Sequence, residues 1–360
     1  MNSRVLMKGN EAIAEAAVRA GCRHYFGYPI TPQTEIMHYM AKRMPQVGGT
    51  IVQAESEVAA INMVYGAAAA GARTMTTSSS PGISLKQEGF SYIAGAELPA
   101  VVVNIVRSGP GLGGILPAQG DYFQATKGGG HGDYRNIVLA PASIQELYEM
   151  TVEAFNLADK YRMLTLILGD GTLGQMMEPV TFREDEPVTT VEKDWSVSGT
   201  EGKRPHHTVQ SIYIEADDLE AVNNRLQAKY AVIRQNEVRV ELLNCDQAEI
   251  ILTAFGTCSR ICRNVIRQAA EIGIKVGMIR PITLWPFPEA AVAAVAHQPS
   301  VKAFLDVELN SGQMLEDVRL AVNGSKPVHF HGRTGGNLPT QQEIRDKIRA
   351  IAAAIAEDGK

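Results

Sequence analysis

Ala100-Val101-Val102-Val103-Asn104-Ile105-Val106 is an apolar stretch with a single polar residue and no alternation of period two. A half-buried strand alternates, so a run of this kind reads as a strand covered on both faces, as in parallel sheets flanked by helices. It is too short to span a bilayer. Outward from it the same grammar repeats. Upstream, extended stretches at residues 24–27, 50–53 and 74–77 are separated by helical patterns at 9–20, after Pro32, at 56–70 and at 83–94. Downstream, Ile137-Val138-Leu139 and residues 164–168 flank a helix over 143–160. Short apolar strands separated by helices predict a doubly wound parallel sheet of the α/β class.

Around residues 182–208 the pattern breaks. Arg183-Glu184-Asp185-Glu186-Pro187 and Gly199-Thr200-Glu201-Gly202-Lys203-Arg204-Pro205 carry charges and breakers without apolar periodicity, which reads as a connection. Residues 209–247 mix strand-like and helical character. From residue 249 the alternation returns, with extended stretches at 250–252, 274–278, 301–305 and 327–330. Helices are expected between them at 259–270, 288–296 and 314–322, and from 340 onward. The expected organisation is an α/β domain over 1–182, a connecting segment over 183–247 and a second α/β domain over 248–360.

The 360 residues suffice for two cores, and 45% hydrophobic with 20% charged residues is ordinary for a soluble globular chain. A net charge of −5 offers no electrostatic reason to bind nucleic acid or an anionic membrane. The start, Met1-Asn2-Ser3-Arg4-Val5, shows no signal-peptide pattern, so a cytoplasmic location is expected. The four cysteines, Cys22, Cys245, Cys258 and Cys262, include no CxxC pair. They are expected as packed core thiols, not as the four ligands of an iron–sulfur cluster.

In open parallel sheets, ligands gather beyond the carboxyl ends of the strands, and three segments fall there. In Gly27-Tyr28-Pro29-Ile30-Thr31-Pro32 the prolines stiffen the loop and favour an extended Thr31. Its hydroxyl would then stand near a helix N-terminus, where a carboxylate can bind. The plainer reading is a turn with Thr31 as a cap. Gln53-Ala54-Glu55-Ser56-Glu57 places acids in a first helical turn, which by itself complements the helix dipole. Arg107-Ser108-Gly109-Pro110-Gly111-Leu112-Gly113-Gly114 sets a guanidinium beside backbone that can be approached closely, a pairing suited to carboxylate recognition. No GxxxxGK[ST] makes these glycines a phosphate loop. Residues 108–135 read as a long loop, a length usually tied to function.

Further strings occur in order. The first half holds Glu55-Ser56-Glu57-Val58-Ala59-Ala60-Ile61-Asn62, Thr77-Ser78-Ser79-Ser80-Pro81-Gly82, Gly109-Pro110-Gly111-Leu112-Gly113, Asp121-Tyr122-Phe123-Gln124-Ala125 and Gly128-Gly129-Gly130-His131-Gly132-Asp133-Tyr134-Arg135. The second half holds Arg280-Pro281-Ile282-Thr283-Leu284-Trp285-Pro286-Phe287-Pro288 and Glu308-Leu309-Asn310-Ser311-Gly312-Gln313. Over nearly its full length the chain resembles the α-type, pyrimidine-binding subunit of 2-oxoacid:ferredoxin oxidoreductases, in particular the bacterial 2-oxoisovalerate (3-methyl-2-oxobutanoate) branch. The resemblance implies a thiamine-pyrimidine-type doubly wound first domain and a transketolase C-terminal-like α/β second domain.

The resemblance also implies roles. Glu57, in preference to Glu55, matches the glutamate that hydrogen-bonds N1′ of the thiamine aminopyrimidine, so that the 4′-nitrogen serves as local base toward C2. Thr31 and Arg107 match positions that hold the 2-oxoacid carboxylate; Pro29, Ile30 and Ser80 would line the pyrimidine pocket. Gly169-Asp170-Gly171 opens like the magnesium–diphosphate signature of thiamine diphosphate enzymes, but the asparagine pair that completes it is missing from Asp194-Trp195-Ser196-Val197-Ser198. Asn223-Asn224 lie too far downstream. Asp170 is therefore expected to end a strand in a turn, and no metal site is expected in this chain.

Half of a thiamine diphosphate site is thus implied. A β-type subunit would bind the diphosphate and Mg, and γ-type and ferredoxin-like subunits would complete the complex. Iron–sulfur clusters would sit on partners, with coenzyme A as co-substrate and ferredoxin as electron acceptor. The implied reaction turns a 2-oxoacid, CoA and oxidised ferredoxin into acyl-CoA, CO2 and reduced ferredoxin. The loop over residues 109–135 favours branched-chain oxoacids, because the 2-oxoglutarate type commonly has Ser-Thr after Gly-Pro where Gly111-Leu112 stands here. The alternatives are a 2-oxoglutarate or broad-range member and, from another class, a non-catalytic assembly subunit. The intact set of Thr31, Glu57 and Arg107 speaks against a scaffold.

Overall fold

The computed structural model describes residues 4–183, 186, 188, 189 and 191–358. Glu184, Asp185, Pro187 and Thr190 of the expected connection, and Met1, Asn2 and Ser3 of the first stretch, lie outside the described residues. The chain begins β1 (Arg4–Lys8), α1 (Gly9–Arg19), β2 (His24–Gly27), α2 (Thr34–Arg43), β3 (Thr50–Gln53), α3 (Glu57–Ala69), β4 (Thr74–Ser78), α4 (Pro81–Gly95) and β5 (Ala100–Val106). It continues α5 (Tyr122–Thr126), β6 (Ile137–Leu139), α6 (Ile144–Tyr161), β7 (Leu164–Asp170), α7 (Gly171–Gln175), β8 (Met177–Thr181) and α8 (Ala216–Asn236). Then follow β9 (Val240–Leu243), β10 (Ile250–Thr253), α9 (Gly256–Glu271), β11 (Val276–Pro281), β12 (Thr283–Trp285) and α10 (Glu289–Ala296). The last elements are β13 (Ala303–Glu308), α11 (Met314–Val322), β14 (Val328–Gly332) and α12 (Gln341–Asp358).

The first sheet has the order β12-β6-β7-β5-β4-β2-β3 and is parallel except for β12. β5 is its central strand. All residues of β5 and β7 are buried, so both faces are covered, and this is why the sequence there shows no alternation. The helix pairs α1–α6 and α3–α4 supply cover. β1 and β8 form a separate antiparallel ribbon that periodicity did not disclose.

The second sheet runs β14-β13-β10-β11-β9, parallel but for the edge strand β9. Its two faces serve different cores. Ile250 and Leu252 of β10 enter a cluster with Cys258, Cys262 and Ile344, whereas Ile251 joins the core of the first sheet. Strand alternation thus welds the second sheet to the first.

Two expectations change here. The stretch over 183–247 is more than a connection, since it supplies the helix α8 and the edge strand β9. The long loop over 108–135 contains α5, and Arg107 bridges Pro117. β12, from the Arg280–Pro288 string, crosses over to pair with β6.

Candidate active site

β2, β4 and β5 run parallel in the first sheet, so their carboxyl ends share one edge with the start of α3. Ala54 N donates to Gly27 O at 2.9 Å, which sets the entry to α3 beside the loop after β2.

The carbonyls of Ile30, Thr31 and Pro32 in that loop are engaged. Ile30 O accepts from Gln33 N (3.0 Å), and Thr31 O accepts from Arg107 Nη1 (3.1 Å). Pro32 O accepts from Asn10 Nδ2 (2.8 Å) and Gln175 Nε2 (2.9 Å). Buried Gln33 stands at the cap of α2, so Thr31 is not the cap. Thr31 is exposed, and its hydroxyl bonds to nothing among the described residues. The loop is rigid at its backbone and free at that hydroxyl. Pro29 and Ile30 are half-buried in the same loop.

Arg107 is 8% exposed. Its guanidinium donates to Thr31 O and to Leu112 O, each at 3.1 Å, and its Nε is buried without a partner among the described residues. Among the described residues no carboxylate pairs with it. A buried cation held by neutral carbonyls carries a desolvation cost that an arriving anion offsets.

Ser80 fixes the Arg107 backbone from both sides: its Oγ accepts from Arg107 N and donates to Arg107 O, each at 3.1 Å. Ser80 has a φ of 20°, uncommon outside glycine, and its N–H is held by Asn104 Oδ1 at 3.2 Å. Asn104 Nδ2 in turn donates to Asp121 Oδ2 at 2.8 Å. Burial pushes the Asp121 carboxyl up, against hydrogen bonds from Asn104 and Ser80.

Glu57 opens α3, but Ser56 does the capping, with its side chain accepting from Ala59 N at 3.2 Å. The Glu57 carboxylate is thereby released from the helix. The residue is 5% exposed, and its carboxylate accepts no hydrogen bond among the described residues. Glu55 is exposed. A Cβ at Gly82 would stand 2.4 Å from Glu57 Oε1 and 2.1 Å from Ser78 Oγ, so only glycine there keeps both oxygens clear. Ser78 Oγ is buried and has no hydrogen-bond partner among the described residues. An unpaired buried carboxylate beside an orphaned hydroxyl fits a flat ring with a basic nitrogen, the chemistry of the thiamine pyrimidine.

Asp170 is spent elsewhere. Its carboxylate caps α7, accepting from Thr172 N (2.9 Å) and Leu173 N (3.2 Å), as expected of a strand-ending turn. Among the described residues no group of three or more His, Cys, Asp or Glu side chains could hold a metal. All four cysteines are buried and free, and burial pushes their thiols up, Cys22 to about 12.

The structure thus ties Thr31, Ser80 and Arg107 by direct hydrogen bonds and sets Glu57 beside Ser78 and Gly82 on the same edge. Gln33, Asn104, Asp121 and the fully buried Lys86 were not singled out from the sequence. For Lys86 a signal existed: it stands between Gly82 and Gly89 at helical spacing.

A family model described as pyruvate flavodoxin/ferredoxin oxidoreductase, thiamine diphosphate-binding, matches residues 15–242. A second, pyruvate:ferredoxin oxidoreductase core domain II, matches residues 248–344. The chain is 52% identical, over 96% of its length and 97% of the relative's, to the ketoisovalerate oxidoreductase subunit VorB of Methanothermobacter thermautotrophicus. It is 38% identical to the 2-oxoglutarate synthase subunit KorA of Archaeoglobus fulgidus, over 91% of this chain and 94% of that one. Among solved structures, the 2-oxoglutarate:ferredoxin oxidoreductase of Magnetococcus marinus superposes with a TM-score of 0.87 at 26% identity, covering 97% of this chain and 65% of that one. A split-gene transketolase, at 11% identity and a TM-score of 0.58, shares the fold. With both halves matched and one relative alike over almost the whole length, the chain belongs to the thiamine diphosphate-binding pyruvate flavodoxin/ferredoxin oxidoreductase family, as a subunit of a 2-oxoacid:ferredoxin oxidoreductase.

Proposed function

We propose that the edge formed by Thr31, Glu57, Ser80 and Arg107 is the pyrimidine half of a thiamine diphosphate site acting on branched-chain 2-oxoacids. The net reaction is 2-oxoacid + CoA + two oxidised ferredoxins giving acyl-CoA + CO2 + two reduced ferredoxins + a proton. Residues 1–182 carry this half-site, and residues 248–360 brace it through the shared core. A β-type subunit supplies the diphosphate and magnesium contacts, and γ-type and ferredoxin-like subunits complete the complex, with iron–sulfur clusters and help in binding coenzyme A coming from partners. The capping duty of Asp170 supports that division.

One observation carries the reading: the buried Arg107 guanidinium has two carbonyl partners and, among the described residues, no counter-ion. Its charge, with the free Thr31 hydroxyl beside it, receives the substrate carboxylate. Glu57 holds a proton shared with N1′. When bound, thiamine diphosphate supplies the carbon nucleophile and the electron sink for decarboxylation. Leu112, whose carbonyl orients Arg107, is 83% exposed, and Ile115 and Leu116 are exposed after it. An apolar loop at the carboxylate site supports a hydrocarbon side chain; a second carboxylate would need a second cation.

The test is CoA-dependent viologen reduction by the assembled complex across a panel of 2-oxoacids. Branched-chain acids should give the highest kcat/KM. Arg107→Ala should raise KM for the oxoacid by roughly 30- to 1,000-fold, the loss of a charge-assisted contact. An unchanged KM removes Arg107 from carboxylate binding, and a preference for 2-oxoglutarate overturns the substrate assignment.

A further inference from the structure

α4 turns Gly82, Lys86 and Gly89 toward α3 at the i, i+4, i+7 spacing of one helical face. A Cβ on Gly82 would lie 2.4 Å from Glu57 Oε1, and one on Gly89 would lie 2.6 Å from two side-chain carbons of Ile61. These glycines let α3 settle onto α4. Between them Lys86 is sealed at 0% exposure. Its Nζ donates to the carbonyl oxygen of Glu57 at 3.3 Å. Among the described residues this is its single hydrogen bond, although an ammonium has three donors, and no ion pair accompanies it.

Packing alone gives no reason for a lysine here. A methionine fills the same slot without the cost of burying an ammonium. The Glu57 carboxylate is the charge that acts on Lys86; burial pushes the amine down to about 8, and Glu57 pulls it back. Ser78, the other polar side chain placed at Gly82, is neutral.

We propose that Lys86 is a positioning residue for Glu57: its amine pins the first turn of α3 by the Glu57 carbonyl, and its charge draws the proton shared between the Glu57 carboxylate and N1′ of the pyrimidine onto the ring nitrogen. A neighbouring cation favours the anionic form of a carboxylate, so the proton leaves the carboxyl oxygen and the bond forms at N1′. This rests on the reading of Glu57 as the partner of N1′.

The test uses the assembled complex carrying Lys86→Met or Lys86→Gln, loaded with thiamine diphosphate and magnesium. Lys86→Gln keeps a donor to the Glu57 carbonyl and drops the charge. Circular dichroism of the bound pyrimidine reports protonation at N1′, titrated from neutral to mildly alkaline pH. In both variants the ratio of N1′-protonated to unprotonated ring should fall about tenfold. The additional fall that the wild type shows as pH rises through the amine's titration near 8 should be absent from both variants. Wild-type spectra and pH profile in an assembled Lys86 variant overturn the proposal. If Glu57→Gln loses the signal in the same experiment, the Glu57 reading survives that failure; if Glu57→Gln keeps it, the Glu57 reading has failed as well. Should neither Lys86 variant assemble, Lys86 is a structural residue and the proposal is again overturned.

Discussion

Glu55 and Glu57 differ by two positions and by everything around them. Glu55 is exposed, and Ser56 takes the cap, so Glu57 enters the site with an unused carboxylate. An amide in place of Glu57 keeps size and polarity but cannot hold and return a proton. Glu57→Gln in the assembled complex should lower turnover on the order of 100- to 10,000-fold, with the elution volume of the complex unchanged. Glu55→Gln should leave turnover near wild type. The same oxoacid assay reads both, and equal losses would dissolve the distinction. Ser80 acts at one remove. Ser80→Ala removes both hydrogen bonds that pin the Arg107 backbone, each worth about 1 kcal/mol, so the oxoacid KM should rise more than kcat falls.

The packing of α3 on α4 makes opposite demands on glycine. Gly66, on α3, is exposed, and a Cβ there meets nothing within 4 Å. Gly66→Ala should stabilise the chain by about 0.5–1 kcal/mol, because alanine loses less backbone freedom on folding. Gly89→Ala drives a methyl into Ile61 and should cost about 1–3 kcal/mol. Urea unfolding of the two variants checks the sign. Most elements were legible before the structure: β2, β5 and β6 fall where the apolar runs stand, because buried strands advertise themselves, and the half-exposed edge strand β3 falls on Thr50-Ile51-Val52-Gln53. β12 was not legible, since its partner β6 is over a hundred residues away and nothing local records that pairing. α8 was blurred because only Val222, Leu226, Tyr230 and Ile233 are buried, while Leu219 and Val232 stand exposed off that stripe. In the site, the strings named Thr31, Glu57 and Arg107, but the carbonyl contacts that leave Arg107 without a counter-ion depend on a loop fold no spacing encodes.

At the scale of the molecule, a charge chain ties the two sheets. Arg280 on β11 is 2% exposed and donates to Glu146 Oε1 of α6 at 2.9 Å and to Glu241 Oε2 of β9 at 3.1 Å. Arg263 of α9 also holds Glu241. Removing the buried guanidinium leaves Glu146 and Glu241 facing each other, so Arg280→Met should cost about 3 kcal/mol. Because the shared apolar core stays in place, calorimetry should read that loss as a lower Tm of the same transition. The Arg263 hydrogen bond holds the Glu241 carboxyl below the ordinary carboxylate range, against the opposing effect of burial. A group whose folded value is depressed contributes stability above its unfolded value and loses it as pH falls through the folded one. Wild type should therefore exceed Glu241→Gln in Tm at neutral pH, and the gap should close as pH drops below that range. A gap that persists unchanged in acid would mean that Glu241 contributes packing and hydrogen bonds without its charge, and that the link between the units rests on Arg280 and Glu146 together with the shared apolar core.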